Sequence, residues 1–375
     1  MIYKDFKGKK LSALGMGCMR LPTKGIDLII DEKKTAEMVE FALNNGINYF
    51  DTAYGYHGGK SEPVMGKILS RYPRESYYLA TKFPGYSKLN MGKADKIFEK
   101  QLKRLKTDYF DFYLVHTVCE SNIDDYLNRE KYGDVDYLIK LKKEGKIKHL
   151  GFSTHGNLDT LRRFLEAYGN DMEFCQIQLN YLDWQGQNAK AQVEMVREYN
   201  IPVWVMEPVR GGKLASLDKK YEDMLRSLRP EEKIPAWAFR FIQTVPDVVV
   251  TLSGMSNYDQ LKENIETFCE DKPLDTAEWN TVLKIADMIN DRKALPCTAC
   301  RYCTEYCPKK IDIPAVLSLY NKHCFGDDGY DASKEIAAIN EGNRPSDCIG
   351  CKACEKVCPQ KIAISGAMSD FASRL

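Results

Sequence analysis

From residue 12 to about 268, short runs rich in β-branched and aromatic residues alternate with longer runs whose apolar positions recur every three or four residues. Compact apolar runs mark strands and a period near 3.6 marks amphipathic helices, so the alternation predicts a series of parallel β/α units. Eight strands are predicted: Ser12–Gly17, Ile47–Phe50, Tyr77–Lys82, Asp111–His116, Lys148–Ser153, Phe174–Leu179, Pro202–Met206 and Val248–Leu252. Between them, Lys33–Asn45 sets Ala36, Val39 and Leu43 on one helical face, with Gly46 as its stop. Lys93–Leu105 does the same with Phe98, Leu102 and Leu105. Eight such units in this length favour a closed (β/α)8 TIM barrel, an α/β fold, over an open doubly wound sheet. No G-x-G-x-x-G follows a strand, which leaves a Rossmann reading unsupported.

The pattern breaks after a final helix and linker at Leu274–Pro296, beyond which Cys, Pro and short helical runs dominate. Cys297, Cys300, Cys303 and Cys307 precede Pro308, and Cys348, Cys351, Cys354 and Cys358 precede Pro359. Both runs read C-x-x-C-x-x-C-x-x-x-C-P, the spacing with which thiolates hold [4Fe-4S] clusters in bacterial-type ferredoxins. Three close thiolates take three corners of one cluster, and the Cys before Pro completes the other. That rule assigns Cys297, Cys300, Cys303 and Cys358 to one cluster and Cys348, Cys351, Cys354 and Cys307 to the second. Structural zinc favours paired C-x-x-C knuckles and leaves the third Cys and the trailing C-P without a role. Thirteen Cys in 375 residues is not the composition of a small disulfide scaffold. Pro314–Cys324, with Val316, Leu317 and Tyr320, and Ala332–Asn340, with Ile336 and Ile339, fill the gap between the runs as two helices. The chain thus divides into a barrel over residues 1–285 and a small C-terminal α-helical ferredoxin-like domain over 286–375.

Charge narrows the partners. Lys and Arg number 54 against 53 Asp and Glu, so no overall field recruits nucleic acid or an anionic membrane. The first ten residues are polar and lysine-rich, and nowhere do eighteen apolar residues run together, so a soluble, cytoplasmic protein is expected. The expected partners are a small-molecule substrate and a docked redox protein.

In a barrel of this class, polar groups at the C-terminal ends of strands form the active site. Asp51, Lys82 and His116 stand at the ends of the second, third and fourth predicted strands, with Tyr56 in the loop after Asp51. Here the sequence resembles the aldo/keto reductase family. The matching runs are Phe50-Asp51-Thr52-Ala53-Tyr54-Gly55-Tyr56 leading to Ser61-Glu62, then Ala80-Thr81-Lys82, then Asp111-Phe112-Tyr113-Leu114-Val115-His116, and the likeness extends over about residues 11 to 268. The resemblance implies a catalytic tetrad of Asp51, Tyr56, Lys82 and His116. Reducing a carbonyl takes hydride at carbon and a proton at oxygen, and a phenol near 10 is a weak acid unless a neighbour lowers its pKa. Lys82 is expected to do so. Asp51 would hold Lys82, and His116 would donate a hydrogen bond to the carbonyl oxygen. His57 reads equally as a substrate neighbour and as a solvated loop residue.

The resemblance also implies a nicotinamide nucleotide, its carboxamide held by Ser153, the next residue and Gln176. The family's Asn is Thr154 here, followed by His155, and its stacking aromatic falls at Met206, a softer platform. Gly211 and Gly212 can present backbone amides to a pyrophosphate that Arg210 or Lys213 can neutralise. Ser253 and Gly254 lead into a helix carrying Gln260 and Asn264. In the family this helix start binds the adenosine 2'-phosphate with an Arg at the position of Gln260, and Asn264 fits the adenine contact. Gln lacks the bidentate grip of Arg, so NADP(H) and NAD(H) both stay open. Asn257 also reads as this helix's N-cap. Cys18, Cys119, Cys175, Cys269 and Cys324 show no ligand spacing, and most of them read as small buried hydrophobes.

A nicotinamide delivers two electrons as hydride whereas each cluster passes one, and no flavin-binding signature bridges them. Three readings follow: a nicotinamide-dependent carbonyl reductase with an accessory cluster path, a cluster-fed one-electron protein whose barrel binds a substrate or partner, and clusters that staple a tail with little core of its own.

Overall fold

The structure is a computed structural model that describes residues 1–375 apart from 26–28, 292–293 and 326–329. Residues 292 and 293 of the expected linker therefore lie outside the described residues. Strands β1 (Tyr3–Phe6) and β2 (Lys9–Ser12) form an antiparallel hairpin through a two-residue turn, Lys7 and Gly8, both at positive φ. Two residues with φ > 0 match the twist of a tight hairpin. This hairpin corrects the expectation that Ser12 opens the first barrel strand. Ser12 pairs with Tyr3, its amide donates to Asn48, and its hydroxyl donates to the Leu14 carbonyl. Phe6 and Leu11 then close the N-terminal end of the barrel against Tyr49, Phe112, Phe174 and Trp204. With that end sealed, the opposite end carries the site.

Eight parallel strands close the barrel: β3 (Leu14–Gly17), β4 (Tyr49–Asp51), β5 (Tyr78–Phe83), β6 (Phe110–Val118), β7 (Ile147–Thr154), β8 (Cys175–Gln178), β9 (Val203–Met206) and β10 (Val248–Ser253), with β10 returning to β3. β6 runs two residues past the expected His116, and its register against β7 shifts between Val115 and Val118, with Thr117 at φ 55°. A bulge re-aims the side chains beside it, which matters because His116 stands inside this one.

The helix Glu32–Asn44 starts at Asp31, whose side chain accepts from the Lys34 amide, and ends before Gly46 at φ 89°. The helix Thr276–Asn290 opens with a capping box between Asp275 and Glu278 and stacks Trp279 on Phe241 of the barrel, so residue 285 lies inside it rather than at its end. The tail has a core of its own, built by the helices Ile313–Phe325 and Ile364–Arg374, with Val316, Leu317, Met368 and Phe371 at its centre. The second expected helix is shorter, Ser333–Ala337, and the C-terminal helix had no counterpart in the expectation. Among the described residues no helix is long and apolar enough to cross a membrane.

Candidate active site at the barrel mouth

Neighbouring strand ends bring Asp51, Lys82 and His116 together. Lys82 is fully buried and donates to the Asp51 carboxylate, to the Thr52 carbonyl at 2.9 Å and to the Tyr56 hydroxyl at 3.2 Å. Tyr56 points back into the barrel because the chain bends immediately after it, with His57, Gly58 and Gly59 all at positive φ. His57 accepts from the Leu21 amide at 3.1 Å, which ties down the neighbouring loop. Behind the tetrad, the fully buried Glu62 accepts from Thr81, Gln101 and Arg104, a network that fixes the strand carrying Lys82.

Burial sets the electrostatics. It pushes the Lys82 ammonium down and the Asp51 carboxyl up, while their mutual attraction works against burial at each. Burial also raises the Tyr56 phenol well above 10, and the Asp51 charge adds to this; a hydrogen bond with Tyr302 acts in the other direction. The expected lowering by Lys82 is thereby corrected. Its ammonium is shared with a carboxylate and a carbonyl, so little net positive field reaches the phenol and desolvation prevails. His116 is pushed well below 6.5, first by burial and then by Lys82 and His155, so its imidazole is neutral, with Nδ1 buried and unpartnered. A protonated phenol beside a neutral imidazole can donate two hydrogen bonds to one oxygen.

One cavity of about 260 Å³ joins Asp51, Tyr56 and His116 to Gln176, Met206, Gly211, Gly212, Ser253, Gly254, Gln260 and Asn264. Gln176 donates to the Met206 sulfur at 3.4 Å, and its Oε1 is buried without a partner, an acceptor suited to a carboxamide N–H. Asn264 donates to Ser253 Oγ at 3.0 Å. Asn257 caps its helix by accepting from the Gln260 amide, and Gln260 folds back to accept from the Ser256 amide.

Three expected contacts are not brought into the cavity. Ser153 accepts from the Thr117 amide at 2.8 Å, a consequence of the β6 bulge, and it is His155 that lines the cavity. Arg210 is buried in an ion pair with Asp183 at 2.9 Å. Lys213 donates to the Leu295 carbonyl at 3.2 Å.

Leu295 belongs to the tail, and the tail meets the barrel at its mouth. Arg20 donates to the Thr298 carbonyl at 2.8 Å, and that carbonyl lies 2.2 Å from where a Cβ on Gly211 would stand, so only glycine fits there. Gln360 donates to Gln178 at 2.9 Å, and Lys361 pairs with Glu120 at 2.6 Å. Thr298, Cys300, Tyr302, Pro359 and Gln360 line the same cavity as the tetrad. Sequence reasoning named Cys300 only as a cluster ligand and missed the other four because it read the two halves separately; a Tyr between ligand-spaced Cys residues carries no local signal of facing a barrel.

Within the tail, Cys297, Cys300, Cys303 and Cys358 surround one cavity together with Leu317 and Ile362. Cys307, Cys348, Cys351 and Cys354 surround another together with Ile311 and Met368. In each, the fourth thiol comes from the other run. Burial pushes the Cys300 thiol up to about 12 and the Cys354 thiol up to about 11. Among the described residues no three His, Cys, Asp or Glu converge on a single ion.

Residues 13–287 match the family model described as the aldo/keto reductase family, and residues 344–362 match a 4Fe-4S binding domain. A probable aldo-keto reductase 1 of Glycine max is 30% identical over 214 residues, covering 55% of this chain and 58% of that protein, so the chain spans less than two thirds of this relative. An NADH-specific methylglyoxal reductase of Escherichia coli (strain K12) is 27% identical over 301 residues, 68% of this chain and 89% of that protein. Among solved structures, the holo form of aldo-keto reductase AKR11C1 from Bacillus halodurans is 26% identical, with a TM-score of 0.61 over 74% of this chain and 93% of that one.

Proposed function

The chain belongs to the aldo/keto reductase family, and on that premise we propose that it reduces the carbonyl group of a small molecule, with NADP(H) or NAD(H) as hydride donor, Tyr56 as proton donor and two [4Fe-4S] clusters as a second electron route. The observation that carries this reading is the single cavity that runs from Asn264 and Gln260 past Gly211 and Gln176 to Tyr56 and His116. A nicotinamide bound there supplies hydride at the carbonyl carbon. Tyr56 Oη gives its proton to the carbonyl oxygen, and neutral His116 donates a hydrogen bond to the same oxygen. Lys82, fixed by Asp51 and Thr52, keeps its hydrogen bond to Tyr56 Oη and so holds the phenol in place. Gln176 Oε1 would orient the carboxamide, and Gly211 and Gly212 would take the pyrophosphate. Cys297, Cys300, Cys303 and Cys358 would hold one cluster, and Cys307, Cys348, Cys351 and Cys354 the other, each cluster passing one electron at a time.

A second reading, one-electron chemistry fed by the clusters without nicotinamide turnover, is favoured by one observation. Cys300 lines the tetrad cavity. The two separate in an anaerobic titration of the cluster-loaded protein with NADPH and with NADH, combined with turnover on small aldehydes and ketones. Saturable nucleotide binding with carbonyl turnover that Tyr56→Phe reduces by about 10²–10⁴ supports the first reading. Absence of nucleotide binding, with clusters still reducible by a one-electron donor, supports the second.

A further inference from the structure

A second cavity, of about 390 Å³, lies at the barrel mouth between Gly55, Cys119 and Asn157 on the barrel side and Tyr302, Tyr306 and Cys358 on the tail side. Its volume lies in the range of small-molecule sites, ~300–1,000 Å³. Tyr302, His155 and Pro359 also line the tetrad cavity, so the two spaces share a wall. Tyr86 lines the second cavity with its ring 6.3 Å from that of Tyr302 and 5.4 Å, edge-on, from that of His116. His116 in turn stands edge-on to Tyr56 at 6.0 Å. A file of rings thus leads from the proton donor to this cavity. Much of the charge around it is already spent: Glu120 pairs with Lys361, and Glu355 accepts from Ser365.

We propose that this second cavity binds a planar conjugated ring system of the quinone or isoalloxazine kind. Three tyrosine faces, Tyr86, Tyr302 and Tyr306, suit a flat π-system by offset or edge-on contact. One wall is shared with the tetrad, and another is made by Cys358, whose thiol belongs to the group around the first tail cavity. A ligand here touches both halves of the molecule. A quinone that takes up two electrons, passed singly through the clusters from a one-electron donor protein, and two protons from solvent becomes its hydroquinone. The inference goes beyond the carbonyl-reductase reading, and binding here does not depend on it.

The test is anaerobic equilibrium dialysis of the cluster-loaded, full-length protein against 1,4-naphthoquinone and, separately, FMN, for the parent and for Tyr86→Leu, Tyr306→Ala and Tyr56→Phe. Visible cluster absorption controls for the integrity of each variant. Tyr306 is a rim residue, 40% exposed, so its substitution leaves the fold intact. Saturable binding of naphthoquinone, weakened about tenfold by Tyr86→Leu and by Tyr306→Ala and unchanged by Tyr56→Phe, is the expected result. The same tyrosine dependence with FMN instead identifies the ring as a flavin's. If neither compound binds saturably, or if both tyrosine variants bind like the parent, the proposal is overturned. Turnover of small aldehydes and ketones that survives Tyr56→Phe would sink the tetrad's role and leave this site standing.

Discussion

Gln360 in the tail donates a 2.9 Å hydrogen bond from Nε2 to Oε1 of Gln178, the last residue of β8, and accepts one in return from Gln187. Gln178 spends its own Nε2 on Asp183, so a buried amide network rather than a hydrophobic seam sets the tail on this part of the mouth. A half-satisfied buried amide costs more than it contributes when paired. Gln360→Ala strands the Gln178 acceptor and the Gln187 donor, with an expected destabilisation of about 1–3 kcal/mol. Because it acts on docking, cluster loss from the variant during dilution should quicken before the barrel's own thermal unfolding shifts. Equal effects on both would show that tail and barrel unfold as one unit.

Lys82 and Asp51 compensate one another, and among the described residues no other counter-charge is in hydrogen-bond contact with either. Lys82→Met leaves the Asp51 carboxylate buried and unpaired, a change expected to cost about 3–5 kcal/mol in denaturant-measured stability together with carbonyl reduction. Lys82→Met combined with Asp51→Leu removes both charges. The double variant should recover most of the stability and none of the activity, which separates the pair's structural part from its catalytic one.

The pH dependence of turnover follows from the directions at Tyr56 and His116. Burial and the Asp51 charge raise the phenol well above 10, so the proton-donating form persists as pH rises and is lost only above that raised value. Burial lowers the imidazole, so His116 stays neutral as pH falls through 6.5 and charges only well below it. The kcat profile for carbonyl reduction should therefore be flat from about pH 7 to 9. A basic limb in that window that vanishes in Tyr56→Phe would show instead that bound nucleotide lowers the phenol's pKa.

The grouping of Asp51, Tyr56, Lys82 and His116 at one end of the barrel was legible because each sits at a strand end or in a loop within a few residues of one. Ser153 lies off the cavity for a long-range reason: the bulge at Thr117 turns an amide toward its hydroxyl and leaves His155 to line the cavity. Arg210 and Lys213 looked free because Asp183 and Leu295 are distant in sequence. The hairpin of β1 and β2 escaped notice because its strands are four residues each and rich in lysine, with Phe6 and Leu11 alone signalling the barrel floor. The grouping of thiols in the tail follows a spacing rule, whereas the placing of Tyr302 and Gln360 against the barrel depends on a docking that no local pattern encodes.

At the barrel floor, Glu173 accepts from His149 and Lys142, and Lys7 of the hairpin pairs with it at 3.2 Å. Burial alone would raise this carboxyl, but the hydrogen bonds from His149 and Lys142 outweigh it and hold the pKa at about 2. A carboxyl depressed in the folded state contributes stability that is complete above its unfolded value, near 4.3, and is lost as pH falls through the folded value. Unfolding midpoints should fall between about pH 4.3 and 2, and Glu173→Gln should flatten that decline while lowering stability at neutral pH. Carbonyl reduction in Glu173→Gln at pH 7 should match the parent, because the residue lies at the end of the barrel away from the tetrad.

Leu295 and Thr298 flank Cys297, and their carbonyls occupy Lys213 and Arg20 at the loop that would face a nucleotide's pyrophosphate. Whatever holds Cys297 and Cys300 in place therefore also holds these carbonyls against that loop. In the cluster-loaded protein Lys213 is already engaged, and Lys213→Ala should change nucleotide affinity by less than about threefold, under 0.7 kcal/mol. Stripping the clusters from the full-length chain frees the ammonium, and nucleotide binding should then tighten several-fold, within the ~5–150-fold range of ordinary couplings. In that stripped protein Lys213→Ala should abolish the gain. Reciprocity gives an independent check: saturating nucleotide must weaken cluster retention by the same factor, measurable as the equilibrium fraction of iron released to a chelator. Equal nucleotide affinities in the loaded and stripped forms would show that the segment from Leu295 to Thr298 holds its position without the clusters.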